Sequence, residues 1–181
     1  MIEFDCNCSL CQESFNSMTE QKEYFLRKII PGIYFSYLRD DINITLSIAQ
    51  AIHESDWGKS ELAKKANNLY GIKSHVDNKY KSYIKVTEEY INNKKVNVIA
   101  KFKKYDNINE SISHHGYYLA TRSLNGILLY KDVIKNKNNY NNAITALYLA
   151  GYATNSDYRG NLLLIVKNYK IYNFEKCLRG K

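Results

Sequence analysis

The sequence predicts a mostly helical α+β domain in which a set of helices carries one small β-hairpin. Between Asn43 and Ile52 apolar residues recur at spacings of three and four, the period of a helix with a buried face. Between residues 80 and 105 the period drops to two across two runs separated by Asn92-Asn93-Lys94-Lys95, the pattern of a hairpin. The chain has 181 residues, 45% of them hydrophobic, with one proline and eight glycines, which suits one folded unit with a real core.

Taken in order, residues 1–16 read as a cysteine-bearing extension, 17–176 as the domain proper and 177–181 as a tail. A first helix is expected near Ser17, which has capping-box spacing to Glu20. Tyr24, Phe25, Ile29 and Ile30 supply its apolar positions, and Pro31-Gly32 should interrupt it. Asn43 is the expected N-cap of the next helix, with Ile44, Ile48, Ala51 and Ile52 on one face. Ser55-Asp56-Trp57-Gly58 makes a bend, SELAKKA a short helix, and NNLYGIK a turn rich in asparagine and glycine. In the first strand Ile84, Val86 and Tyr90 share an apolar face, whereas Lys85, Thr87 and Glu89 share the polar one. Asn107 or Asn109 caps a later helix, with Glu110 in its first turn against the dipole. A last helix runs from Asn161 to Tyr169.

Chemistry concentrates at Glu54. It lies where an apolar helix runs out towards solvent, and Trp57 offers an apolar wall close by in sequence. A partly desolvated carboxyl favours its neutral form, so it can donate a proton near neutral pH, as a glycosidic leaving oxygen requires. The ordinary alternative is a solvated glutamate near a helix end.

The surrounding string decides between these. AQA-x-x-ES-x-WG-x-S-x-LA, followed by NNL-aromatic-GIK, resembles the core of glycoside hydrolase family 73, the peptidoglycan endo-β-N-acetylglucosaminidases. The resemblance implies a lysozyme-like fold, with a helical lobe and a small hairpin lobe flanking a substrate cleft, and a catalytic acid at Glu54. Thr87-Glu88-Glu89-Tyr90 resembles the family's T-x-E-Y element and so implies Glu89 as the second carboxylate, with Glu88 at the variable site. FKKYDNINESISHH resembles a helix-start element, departing at His114 where the family usually has aspartate. Ala150 to Tyr158 resembles G-Y-A-T-D-P-x-Y, with Asn155 and Ser156 in place of Asp-Pro. On these matches Trp57, Asn68, Tyr70, Tyr152 and Tyr158 are the implied substrate-binding residues. The resemblance covers nearly everything but the first sixteen or so residues.

The formal net charge of +8 asks for an anionic partner or none. The basic residues are spread along the chain without a zinc-finger, helix-turn-helix or RNP signature, so wall polymer is expected rather than nucleic acid. No run approaches the roughly 18 apolar residues of a membrane span, and MIEFDCNCSLCQESF lacks the pattern of a signal peptide. The expectation is a monomer acting at the bacterial cell wall, released as phage lysins are or excised from a longer exported protein.

Catalysis of this type needs no cofactor. Cys6, Cys8 and Cys11 form C-x-C-x-x-C, and Cys177 stands at the other end. Four thiolates would complete a structural zinc clip between the termini, with free thiols and disulfides as alternatives. His53, His75, His114 and His115 lack ligand-spaced partners and are expected to pack rather than bind metal. Two other classes remain open: a muramidase or lytic transglycosylase of the same fold, and a wall-binding module without catalysis.

Overall fold

The structure, a computed structural model, describes residues 8–74, 80–91 and 94–180, while the side chains of 88–91, 94 and 95 lie outside the description. Cys6, His75, Asn92 and Asn93 therefore fall outside the described residues. The elements run α1 (Ser9–Phe15), α2 (Glu20–Asp40), α3 (Ile44–Ser55), α4 (Glu61–Ala66), β1 (Lys81–Ile91), β2 (Lys94–Lys104), α5 (Ile108–Thr121), β3 (Ser123–Leu124), β4 (Ile127–Leu128), α6 (Lys131–Lys135), α7 (Tyr140–Leu149), α8 (Tyr158–Asn168) and α9 (Tyr172–Arg179).

α3 is the axis of the molecule. Asn43 caps it as expected, accepting a hydrogen bond from Leu46 N at 2.9 Å. α2, α7, α8 and α9 all pack on it, so every residue of α3 is buried except His53 and Glu54. The buried face foreseen at Ile44, Ile48, Ala51 and Ile52 thus extends round the whole helix, as its largely apolar sequence permits. The core continues through Leu26, Ile29, Ile30 and Ile33 of α2 and Leu162 and Val166 of α8.

α2 departs from expectation at both ends of its reading. Its N-cap is Thr19, and Ser17 instead donates to Ser14 O. The helix also passes through Pro31 without a break. Proline removes the donor that the Arg27 carbonyl would use, and Arg27 is exposed, where water can take that place. Tyr24, expected on the apolar face, is exposed, while Phe25, Ile29 and Ile30 are buried. α2 packs on α5 at Gly116, where a Cβ would collide with Ser36 and Asp40, so only glycine allows this approach. Asn107 caps α5 by accepting from Glu110 N at 3.0 Å, and Glu110 accepts in return from Asp106 N at 2.9 Å.

The hairpin pairs β1 and β2 antiparallel, with Lys85 opposite Ala100 and Glu89 opposite Val96. Its faces are the reverse of the simple reading. Ile84, Val86 and Ile99 are exposed, whereas Ala100 and Phe102 are buried. Tyr83 and Lys85 turn to α4, where both bind Glu61, at 2.7 and 3.1 Å. The aliphatic stems and rings of these polar residues cover the inner face, which hydrophobicity alone does not reveal. A second hairpin, β3–β4, turns through Asn125 and Gly126, both at positive φ as a tight two-residue turn requires.

The terminal segments form helices of their own. α1 packs on α9, Phe15 meets Phe174 at 5.1 Å between ring centroids, and Cys11 and Phe15 enter the common core. A disulfide joins Cys8 to Cys177 with Cα atoms 6.6 Å apart. α9 also serves α3: the buried Glu175 carboxylate accepts from Asn43 Nδ2 and from both the backbone N and the hydroxyl of Thr45. A negative charge there complements the N-terminal end of the central helix.

Candidate active site

Glu54 occupies the last turn of α3, and the backbone there explains its setting. Asp56, Trp57 and Gly58 take consecutive left-handed conformations at φ 47, 55 and 75°. Two of these are not glycine, and such conformations cost about 1–2 kcal/mol per L-residue. Ser55 helps to hold them: its hydroxyl accepts from Gly58 N at 2.8 Å. The reversal leaves Glu54 at the helix end and carries Trp57 to another face.

Trp57 is accordingly not a wall of the Glu54 site, contrary to the sequence expectation. Its ring meets Tyr169 at 4.8 Å and Phe25 at 6.1 Å, with Lys22 Nζ 5.0 Å from its centroid. It lines a separate groove with Tyr24, Lys28, Lys59 and Lys64. Three positions of sequence separation, Glu54 to Trp57, are enough to reverse direction when the chain turns left-handed.

The apolar surroundings of Glu54 come instead from tyrosines far along the chain. Tyr158 Oη donates to Glu54 Oε1 at 2.9 Å, and Gln50 Nε2 donates to Tyr158 Oη at 2.9 Å. Tyr152 stacks on Tyr158 at 5.9 Å. Burial raises the Glu54 carboxyl above its usual value of 4.5, and the Tyr158 hydrogen bond opposes this by favouring the charged form. Burial, reinforced by the nearby Glu54 charge, drives the Tyr158 phenol upwards, so it remains a proton donor.

Glu54 opens on a cleft of about 450 Å³ whose lining includes Tyr70, Lys73, Lys103, His114, Arg122 and Tyr152. Tyr70 is held by a 3.2 Å contact to Ser47 Oγ and by a parallel stack on His115 at 3.7 Å. His115 is fully buried and its pKa falls to about 3, first through burial and then through His114, so it stays neutral. His114 contacts Tyr105 Oη through Nδ1 at 2.8 Å. His53 meets Tyr158 edge to face at 5.3 Å, and burial lowers its pKa. The three described histidines thus pack, as expected.

Asn68 does not reach the cleft as a sugar ligand. Its amide donates to Ile72 O and Lys103 O at 3.0 and 2.8 Å, and its Oδ1 accepts from Ile72 N at 3.1 Å. It is 1% exposed, and these bonds tie the 68–72 turn to β2. Its place in the motif is structural. The structure therefore brings Glu54, Tyr70, Tyr152 and Tyr158 together and leaves Trp57 and Asn68 outside the site. Glu89 lies in β1, and its side chain falls outside the described residues.

Lys73, Lys103, Tyr118 and Arg122 line the cleft and were not singled out from sequence. A lysine-rich, tyrosine-rich composition hides such positions, because no spacing distinguishes them from solvated neighbours. Gln50 was visible only as part of the AQA string.

Comparison with known proteins bears on the family and the fold. Residues 36–171 match the glucosaminidase family, described as mannosyl-glycoprotein endo-beta-N-acetylglucosaminidase. The chain is 34% identical over 159 residues to exo-glucosaminidase LytG of Bacillus subtilis, covering 87% of this chain and 55% of that protein. It is 35% identical over 159 residues to a probable N-acetylmuramidase of Lactococcus lactis, covering 87% of this chain and 36% of that one. The chain thus spans about half or less of the length of these relatives. The catalytic domain of the Listeria monocytogenes autolysin Auto superposes with a TM-score of 0.75 at 25% identity, covering 92% of this chain and 98% of that one. With a helical body, a two-stranded hairpin and a half-buried glutamate at the end of its central helix, the chain belongs to the glucosaminidase family, glycoside hydrolase family 73.

Proposed function

We propose that this chain hydrolyses the β-1,4 bond after N-acetylglucosamine in the glycan strands of bacterial peptidoglycan, with Glu54 as general acid. The observation that carries the proposal is the paired influence on Glu54: burial favours its protonated form, while Tyr158 holds one oxygen in place. A protonated carboxyl at the cleft can protonate the leaving oxygen, a contribution of roughly 10²–10⁴ in rate.

Glu89 is the second carboxylate in this proposal. It activates water, or it steadies an oxazolinium formed by the substrate's own acetamido group. The resemblance of Thr87-Glu88-Glu89-Tyr90 to the family's T-x-E-Y element supports this choice over Glu88. Tyr70 and Tyr152 line the cleft where sugar would lie, and the exposed Arg122 suits the carboxylates of the lactyl and peptide groups. The reaction needs no cofactor, and the protein acts at the wall as a monomer. Among the described residues no helix is long and apolar enough to cross a membrane.

The similarity to a probable N-acetylmuramidase favours a second reading, cleavage of the other glycosidic bond. Mass spectrometry of the reducing ends in digested wall separates the two. N-acetylglucosamine at the new ends supports the proposal; N-acetylmuramic acid, or its anhydro form, overturns it in favour of the alternative. Absence of any new ends would leave only a wall-binding role.

A further inference from the structure

Gln50 is fully buried on α3, in a run that is otherwise aliphatic from Ile48 to Ile52. It follows Ser47 by three residues and precedes Glu54 by four, so the three polar side chains form one stripe along the helix. The stripe faces tyrosines. Ser47 Oγ meets Tyr70 Oη at 3.2 Å, Gln50 Nε2 donates to Tyr158 Oη at 2.9 Å, and Tyr158 Oη donates to Glu54 Oε1 at 2.9 Å. Gln50 Oε1, by contrast, is buried with no hydrogen-bond partner among the described residues. An orphaned buried carbonyl is a cost that leucine or methionine at this position would avoid. What the glutamine supplies in return is its N–H on Tyr158.

We propose that Gln50 is a positioning residue for the general acid: by donating to Tyr158 it fixes that hydroxyl as a donor to Glu54. The inference rests on the reading of Glu54 as the acid. A phenol carries one proton and two lone pairs. With the amide N–H on its oxygen, the Tyr158 O–H is polarised towards the Glu54 carboxylate. Without that N–H, Tyr158 is as free to accept a protonated carboxyl's hydrogen as to donate its own, and the contact no longer favours one charge state. The amide thus sets how readily Glu54 ionises once its proton has gone to the leaving oxygen. No proton passes through Gln50.

Other titratable and charged groups surround the pair. The rings of His53 and Tyr152 lie 5.3 and 5.9 Å from that of Tyr158, and Tyr130 lies 6.0 Å from Tyr152. Tyr70, Lys73, Lys103, His114, Tyr118 and Arg122 line the cleft onto which Glu54 opens. Glu89, the proposed second carboxylate, acts in the same reaction. All of these are the same in every variant of the test, so a difference between variants reports the chain from Gln50 to Glu54 and not its surroundings.

The test measures kcat/KM against pH on soluble glycan fragments, with melting curves to show that each variant folds. Gln50→Met, close in size to glutamine, should move the alkaline limb upwards by roughly half a unit or more, as weakening a hydrogen bond that favours a charged group requires. Gln50→Met combined with Tyr158→Phe should leave the limb where Tyr158→Phe alone puts it, because the amide acts only through the phenol. A limb that stays in place while the rate falls, or a shift that adds in full in the double variant, overturns the proposal.

Should Gln50→Met fail to fold, the unaltered protein gives the answer. The side-chain amide protons of Gln50, followed by nuclear magnetic resonance, should shift as Glu54 ionises, and Glu54→Gln should abolish that shift. Amide resonances that stay flat while Glu54 titrates overturn the proposal. This measurement needs no activity. Failure of the acid assignment, read as lysis retained in Glu54→Gln, and failure of the positioning role, read as flat amide resonances, are therefore different results.

Discussion

Tyr158 and Glu54 are 104 residues apart in sequence, yet the tyrosine hydroxyl donates to Glu54 Oε1 at 2.9 Å. A phenol has one proton, and Gln50 Nε2 already occupies an acceptor site on the same oxygen. The Tyr158 proton is therefore directed to Glu54. When Glu54 is ionised, Oε1 is occupied and Oε2 is the oxygen that takes up and delivers the catalytic proton.

Glu54→Gln should reduce wall lysis by a factor of roughly 10²–10⁴, since an amide has the shape of the acid but no acidic proton. Stability should move the other way at neutral pH. The folded-state pKa of Glu54 is raised above 4.5, so its contribution is fully present below that value and is lost as pH rises through the folded pKa. Removing the charge should raise the melting temperature near pH 7 and have little effect below about pH 4. Melting curves at both pH values check this; a lower melting temperature at pH 7 would falsify the account of Glu54 burial.

Tyr158→Phe removes the one bond that favours the charged form of Glu54. Burial is then unopposed, the carboxyl pKa rises further, and the alkaline limb of the kcat/KM profile should move to higher pH. A merely structural role for Tyr158 would lower the rate and leave the limb in place. The profile on soluble glycan fragments tells the two apart.

Glu89→Ala should cost much more activity than Glu88→Ala, measured side by side on purified wall. The parity of the strand is what is being tested, because a shift of one residue exchanges the two faces. A larger loss at Glu88 would assign the second carboxylate to that position.

Trp57→Ala should act on stability rather than on substrate affinity. The ring packs against Phe25 and Tyr169, away from the cleft, and it is only half-buried. The loss should be smaller than the roughly 3–5 kcal/mol of a fully buried tryptophan. Denaturant melts and KM on wall fragments give the two readouts; a large rise in KM at unchanged stability would return Trp57 to the substrate site.

Sequence made α3 legible because local signals agree there: an asparagine cap, an apolar run and a bend at Ser55-Asp56-Trp57-Gly58. It also located the large hairpin, with Lys81–Lys104 enclosing the expected runs. What it missed depends on distant parts of the chain. α1 and α9 are seven and eight residues long, too short to be stable alone. They are held by each other and by the Cys8–Cys177 bond. The hairpin's inner face was misread because Tyr83 and Lys85 cover it with parts of polar side chains. At the site, Glu54 could be found from its place in the helix, whereas its bond to Tyr158 has no local signature. Asn68 and Trp57 were misplaced for one reason: a motif records which residues occur together, not which way each side chain faces.

The pairing of α1 with α9 closes the chain on itself. With the Cys8 and Cys177 Cα atoms 6.6 Å apart, a few added residues could connect Gly180 to Cys8. New ends could then be opened at the exposed Asn125-Gly126 turn between β3 and β4. Such a circular permutant should fold and lyse wall, since no buried backbone is cut. Circular dichroism and a turbidity assay would check both. The order in which the helices are connected would then be a dispensable feature of this enzyme, and their meeting around α3 the essential one.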